Sequence, residues 1–128
     1  MRLLLDSHIV LWALTDDARL SLQARNLILE QNNEIYVSSA TIWEIAIKHG
    51  LKRSDVPFSG TDAVGYCRAA GYLFLDVRPE HAAATEALPP LHGDPFDRLL
   101  VAQARVEPLH LLTHDDVVAS YGAGVLRV

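Results

Sequence analysis

Short apolar runs alternate with helical patterns along the chain, and this alternation restricts the fold more than any other feature of the sequence. The apolar runs have the length and composition of buried β-strands. They lie at residues 3–5, 35–37, 73–75 and 109–112. Apolar spacing and capping residues predict helices at residues 8–14, 21–30, 39–49, 60–70, 79–88 and 97–105. Because strands that alternate with helices pair in parallel through right-handed crossovers, we predict an α/β fold with a parallel sheet covered on both faces.

The length and the composition indicate one domain. The chain has 128 residues, of which 50% are apolar, so a single core can form without disulfides. The lone Cys67 excludes an intramolecular disulfide, and no Cys/His cluster indicates a zinc site. No apolar run approaches the roughly 18 residues of a membrane span, and the run after Met1 is too short for a signal peptide. We therefore expect one domain at residues 1–128, cytoplasmic and without membrane contact.

The net charge does not identify the partner. The formal charge is −5, which by itself argues against a nucleic acid, because nucleic-acid binding depends largely on neutralising phosphates. If several carboxylates share one metal site, however, bound divalent cations offset much of this excess. Charge alone therefore leaves the substrate class open.

Acidic residues are placed where the predicted fold gathers them. Asp6 directly follows the first apolar run and Asp115 follows the last, whereas Glu44 and Asp97 lie in helical segments. In open parallel sheets, ligands bind at the carboxyl ends of the strands. Carboxylate oxygens gathered there would form a site for Mg²⁺ or Mn²⁺.

Acidic residues at three places in the sequence also have a structural interpretation, in which they cap helices. Asp6 is a plausible N-cap after the first strand, and Asp94 is one before Pro95. Thr113 and Asp116 have the spacing of a capping box, which leaves Asp115 without a structural role.

Glu44 lies in an apolar helical segment. An ionised acid that points into a core needs a partner or a metal. The alternatives are that Glu44 is exposed to solvent or that it caps the helix reciprocally with Thr41, since Ser39 or Thr41 is the expected N-cap.

Four stretches of the sequence resemble PIN-domain nucleases, and among these the VapC-like toxins of bacterial toxin–antitoxin pairs. The stretches are LLLDSHIVLWAL, VSSATIWEIAIKHG, HGDPFDRLLVAQA and LLTHDD, in the family order and covering nearly the whole chain. The resemblance implies a three-layer α/β/α sandwich with a central parallel sheet and a carboxylate cluster that binds Mg²⁺ or Mn²⁺. It further implies cleavage of RNA, inhibition by a cognate antitoxin protein and a homodimer.

The resemblance also implies roles for individual residues. It assigns the catalytic and metal-binding roles to Asp6, Glu44, Asp97 and Asp115. At the fourth position Asp116 stands beside Asp115, so the register is open by one residue, and we favour Asp115. Asp94 is a secondary candidate, as an extra ligand, an indirect support or only a helix cap. Ser7 either orients Asp6, contacts a phosphate or caps the helix.

Histidine, tryptophan and lysine residues near these motifs allow several interpretations. His8 follows Asp6, and His92 and His114, which precede Asp94 and Asp115, are expected near the site. These histidines either contact substrate and carry protons or, as we favour, are polar loop residues or helix-surface groups. Trp12 and Trp43 either stack on bases or, as we favour, fill the core and a subunit contact. Lys48, together with Lys52 and Arg53, either contacts an RNA backbone or complements a helix dipole.

Other classes of protein remain as alternatives. A PIN-like module without catalytic activity would serve only to bind a protein. A phosphoacceptor receiver domain has a similar length and an acidic Mg²⁺ pocket, but here the acid after the first strand is not doubled and no late strand is followed by lysine. A phosphatase with an aspartate nucleophile would favour a second acid where His8 stands.

Overall fold

A computed structural model describes all 128 residues and contains a five-stranded sheet in which neighbouring strands are parallel. The strands are β1 (Arg2–Leu5), β2 (Glu34–Ser38), β3 (Leu73–Leu75), β4 (His110–Thr113) and β5 (Val125–Arg127). Their order is β3-β2-β1-β4-β5, so β1 occupies the centre. The predicted parallel α/β fold is confirmed. The sequence pattern does not predict β5, because its apolar run has only two residues, Val125 and Leu126, before Arg127.

Each predicted helix is present, with small differences at the ends. The helices are α1 (Ser7–Thr15), α2 (Leu22–Leu29), α3 (Ser39–Gly50), α4 (Gly60–Ala69), α5 (Pro79–Ala84), α6 (Pro95–Val106) and α7 (Asp116–Ala119). The segment predicted as one helix at 79–88 changes after α5 into a short 3-10 helix, Thr85–Ala87. The N-cap of α3 is Ser38, not Ser39 or Thr41, because the Ser38 side chain accepts the N–H of Ala40. None of the helices combines the length and the apolar character needed to span a lipid bilayer.

Apolar side chains pack on both faces of the sheet. Successive residues of β1 point to opposite faces, and Leu3, Leu4 and Leu5 are all fully buried. Leu3 and Leu5 belong to one core with Ile9 of α1, whereas Leu4 belongs to a second core with Leu100 of α6. A separate core on each face means that helices cover the sheet from both sides, which gives the three layers that the family resemblance implies.

The carboxyl ends of β1 and β4 lie side by side. Leu5 pairs with Leu112 in the parallel ladder, and the N–H of Asp6 donates to the carbonyl of Leu112 at 3.0 Å. The chain therefore leaves β1 and β4 at adjacent points, and the residues that follow these two strands meet at one edge of the sheet.

Candidate metal centre

Asp6 leaves β1 and caps α1. Its Oδ1 accepts the N–H of Ile9 at 3.0 Å, and its Oδ2 accepts the hydroxyl of Thr113. Burial raises the pKa of Asp6 above its ordinary value, although the hydrogen bonds from Thr113 and Ile9 oppose this effect. A carboxylate oxygen has two lone pairs, so each oxygen of Asp6 keeps an acceptor site while the residue caps the helix.

Glu44 points into the protein from α3, with 5% of its surface exposed. The Ser7 hydroxyl donates to its Oε1 at 2.6 Å, and the Lys48 ammonium donates to its Oε2 at 2.6 Å. Neither solvent exposure nor reciprocal capping with Thr41 describes Glu44, because Thr41 lies inside α3. Ser7 thus orients Glu44 rather than Asp6. Lys48 is not a free cation but the ion-pair partner of Glu44, a pair that its i,i+4 spacing makes readable in sequence.

The first turn of α6 carries Asp97, and Asp94 is its N-cap. Asp94 Oδ1 accepts the N–H of Phe96 at 2.8 Å and that of Asp97 at 3.3 Å, so the capping interpretation of Asp94 holds. Burial, and after it the negative charges of Asp94, Asp6 and Glu44, raise the pKa of Asp97 to about 7, although His92 opposes them. Asp94, Asp6 and Glu44 come from three separate segments of the chain. Their charges all affect the carboxyl group of Asp97, so the fold brings these segments together.

Asp115 and Asp116 point in different directions. Asp115 is the N-cap of α7, since its Oδ1 accepts the N–H groups of Val117 at 2.7 Å and Val118 at 3.2 Å. Partial burial raises the pKa of Asp115, but these backbone hydrogen bonds and His92 outweigh it, and the pKa lies below its ordinary value. Asp116 is exposed and accepts a hydrogen bond from Arg127 at 2.9 Å. Of the two, Asp115 faces the other acids.

The expected capping box at the start of α7 is wrong. Asp115 takes the N-cap position that the sequence pattern gave to Thr113. Thr113 is fully buried and donates to Asp6 instead, and Asp116 makes no reciprocal cap because it pairs with Arg127.

His92 is a loop residue that lies among the acids, as its place before Asp94 predicts. Its Nε2 is 3.1 Å from Asp97 Oδ2 and 3.7 Å from Asp115 Oδ2. One ligand atom from each of these three residues lies within 4.8 Å of the others. The sequence signal for this placement is that His92 stands two residues before Asp94, the N-cap of α6, so the two residues belong to the same loop.

The aromatic residues near the acids differ in their environment. Trp12 is buried, as expected, and with His8 and His114 it lines a cleft of about 190 Å³ that also contains Asp6 and Asp115. Trp43 does not fill the core, because 61% of it is exposed, although its ring packs edge-to-face on Phe96 with ring centroids 5.3 Å apart. The subunit contact that was also expected of it stays a prediction.

The chemistry of the donor set fits a hard divalent cation. Asp6, Glu44, Asp97 and Asp115 supply carboxylate oxygens, the ligands that Mg²⁺ and Mn²⁺ prefer. The raised pKa of Asp97 shows that this region resists a further negative charge when no cation is present. A bound cation would reverse that effect.

Comparisons with known proteins agree with this architecture. The PIN domain family model matches residues 3–123. The structure is similar to the crystal structure of VapBC2 from Rickettsia felis bound to a DNA fragment from their promoter, with a TM-score of 0.72, 15% sequence identity, and coverage of 100% of this chain and 98% of that one. It is also similar to a domain of a functionally unknown protein from Methanocaldococcus jannaschii, with a TM-score of 0.62, 13% identity, and coverage of 99% and 90%. No curated protein matches the sequence. At these identities, the two structural similarities show the fold alone.

Proposed function

Because the chain belongs to the PIN-domain family, we propose that it is a metal-dependent endoribonuclease that acts as the toxin of a toxin–antitoxin pair. The observation that carries the proposal is the convergence of acids from separate segments: Thr113 contacts both Asp6 and Asp115, and His92 lies 3.1 Å from Asp97 and 3.7 Å from Asp115. The raised pKa of Asp97, caused by burial and then by the neighbouring negative charges, agrees with this convergence. Structural similarity to VapBC2 supports the assignment to a toxin.

Asp6, Glu44, Asp97 and Asp115 are the proposed ligands of Mg²⁺, with Mn²⁺ as an alternative. When bound, the cation would polarise a phosphoryl oxygen and lower the pKa of the attacking water. The protein holds the ligands in place beforehand. Thr113 and the N–H of Ile9 fix the carboxylate of Asp6, so that acid needs little reorganisation when the site fills.

Glu44 is the residue proposed to orient the attacking water. Ser7 and Lys48 hold its two oxygens at 2.6 Å each, so its carboxylate has a fixed direction and a remaining acceptor site on each oxygen. Attack by water on the phosphodiester leaves a 5′-phosphate and a 3′-hydroxyl. A 2′,3′-cyclic phosphate would require the RNA 2′-hydroxyl as nucleophile and would contradict this mechanism.

The strand order separates this chain from the receiver alternative. Flavodoxin-like receivers have the order 2-1-3-4-5, whereas the sheet here has the order 3-2-1-4-5. A PIN-like module without activity has the same fold as an active nuclease, so an activity measurement decides between those two.

The proposed protein partners are a cognate antitoxin and a second copy of this chain. Trp43 and Ile47 of α3 and its C-cap residue Leu51 follow one another at i, i+4 and i+8, with exposed fractions of 61%, 40% and 70%. This apolar stripe (Trp43, Ile47 and Leu51) is the surface that we propose for the homodimer, because neighbouring turns present a continuous apolar face. The antitoxin would inhibit by covering the acid cluster.

The test of the proposed activity uses the purified, antitoxin-free protein and total cellular RNA. Samples with Mg²⁺ or Mn²⁺ are compared with samples containing EDTA and with an Asp97→Asn variant, and the cut ends are mapped by sequencing. The proposal predicts discrete cuts with 5′-phosphate and 3′-hydroxyl ends that are absent from both controls. A folded, metal-binding protein that leaves every RNA intact would favour the module without activity.

A further inference from the structure

The imidazole of His92 occupies the space between two proposed metal ligands. Its Nε2 lies 3.1 Å from Asp97 Oδ2 and 3.7 Å from Asp115 Oδ2. These carboxylates come from α6 and from the loop after β4. A divalent cation held by both acids would need the same carboxylate oxygens, so the role of His92 depends on which of its nitrogens carries the proton.

The other ring nitrogen identifies the tautomer. The backbone N–H of Asp94 donates to His92 Nδ1 at 3.0 Å, so Nδ1 acts as an acceptor and carries no proton. In a neutral imidazole one nitrogen is a donor and the other is an acceptor. Nε2 is therefore the nitrogen that carries the proton, and it lies beside the carboxylates of Asp97 and Asp115. In this form it has no lone pair to offer a metal ion.

The main chain around His92 is fixed by a separate set of hydrogen bonds. The N–H of His92 donates to the hydroxyl of Tyr121 at 3.1 Å. Arg98 donates to the same hydroxyl at 3.1 Å and to the carbonyls of Pro89 and Thr85 at 3.0 Å each. The loop therefore presents the imidazole in one place, and releasing the acids requires the side chain of His92 to rotate.

We propose that His92 is a positioning residue that competes with the cation: without a metal ion its Nε2–H lies between the carboxylates of Asp97 and Asp115, and it has to leave their oxygens when the metal ion binds. This inference rests on the metal centre of the proposed function and adds to it a residue that lowers cation affinity. If His92 were a metal ligand, it would raise the affinity for the cation. Removing His92 therefore changes the cation affinity in opposite directions for the two roles.

The test is isothermal titration calorimetry with Mg²⁺ and Mn²⁺ on the full chain, with circular dichroism as the check of folding. His92→Ala removes the competing N–H, so it should bind the metal ions about tenfold more tightly than the wild type, the equivalent of one contact between an N–H group and a carboxylate. His92→Gln can place an amide N–H where Nε2–H lies and should remain close to the wild-type affinity. Weaker or unchanged binding by His92→Ala would overturn the proposal.

A second measurement needs no variant. In ¹⁵N-detected imidazole spectra of the wild type, His92 should carry its proton on Nε2 without metal and keep that proton when Mg²⁺ saturates the protein. Loss of the Nε2 proton on addition of Mg²⁺ would make His92 a ligand and overturn the proposal, as would a proton on Nδ1 in the metal-free protein. Neither measurement involves RNA, so metal binding without cleavage would count against the nuclease activity alone. Absence of metal binding by the wild type would overturn the metal centre and the competition with it.

Discussion

The hydroxyl of Thr113, at the end of β4, donates a hydrogen bond to the carboxylate of Asp6, at the end of β1. The same Oγ1 accepts the N–H of Asp115 at 3.0 Å. The hydroxyl of Thr113, a fully buried residue, thus links Asp6 and Asp115, the acids that follow β1 and β4. The geometry of the proposed metal centre depends on this contact, although Thr113 is not a proposed ligand.

Thr113→Val keeps the shape of the side chain and removes the hydroxyl. The variant should lose about 1–3 kcal/mol of unfolding free energy, because a buried Asp6 oxygen and the Asp115 N–H lose their partner. Urea denaturation monitored by circular dichroism measures the loss. Thr113→Ser retains the hydroxyl and serves as the control. Equal stability of Thr113→Val and the wild type would show that the contact is energetically neutral.

Lys48→Met should destabilise the protein by about 1–2 kcal/mol, because Glu44 remains buried without its cation while the partial exposure of Lys48 weakens the pair. Adding Glu44→Gln to Lys48→Met removes the unpaired charge and should restore part of the loss. Thermal unfolding of the two single variants and the double variant measures this coupling. Strictly additive effects would mean that the 2.6 Å contact carries no coupling energy.

Local patterns predicted the elements of the fold, and spatial contacts explain what they missed. The alternation of apolar runs and helices indicates the parallel sheet. The N-caps Ser21 and Asp94 directly precede the helices that they start. The contact between Thr113 and Asp6 joins residues 107 positions apart. It requires β1 and β4 to be neighbours, and no local pattern encodes that adjacency.

The errors of the sequence interpretation also have physical causes. Trp43 lies in an apolar helical segment, and the pattern shows that the segment is apolar without showing how much of it the rest of the chain covers. The capping box failed because Thr113 and Asp115 both have side chains that cap helices, and burial of Thr113 at the end of β4 decides between them.

The pKa of Asp97 predicts how pH affects the metal-free protein. Its value of about 7 in the folded protein lies above the ordinary 3.8 of the unfolded chain. The resulting stabilisation is complete below about pH 4 and is lost as pH rises through about 7. In EDTA, Asp97→Asn should therefore have a higher Tm than the wild type at pH 8 and a smaller advantage at pH 5. Added Mg²⁺ should raise the Tm of the wild type at pH 8 and leave the variant unchanged. The same difference in Tm at both pH values would contradict the shifted pKa.

The apolar stripe (Trp43, Ile47 and Leu51) predicts how a charged substitution affects the proposed homodimer. Leu51→Glu should shift the proposed homodimer to monomer by weakening association about a hundredfold, because burying an unpaired carboxylate is unfavourable. Light scattering after size-exclusion chromatography measures the mass. Leu22→Glu, at a 73% exposed residue of α2, is the matched control and should stay dimeric. A Leu51→Glu protein that remains a dimer would place the interface elsewhere.

The most direct test of the proposed centre compares two neighbouring acids. Asp115 lies 3.7 Å from His92 in the acid cluster, whereas Asp116 is paired with Arg127. RNA cleavage rates in Mg²⁺ should fall roughly a hundredfold or more for Asp115→Asn, as for Asp97→Asn, because each removes a proposed ligand charge. Asp116→Asn should remain within about twofold of the wild type, as expected for an exposed ion pair. Similar losses for Asp115→Asn and Asp116→Asn, or wild-type cleavage by Asp97→Asn, would contradict the proposed metal centre.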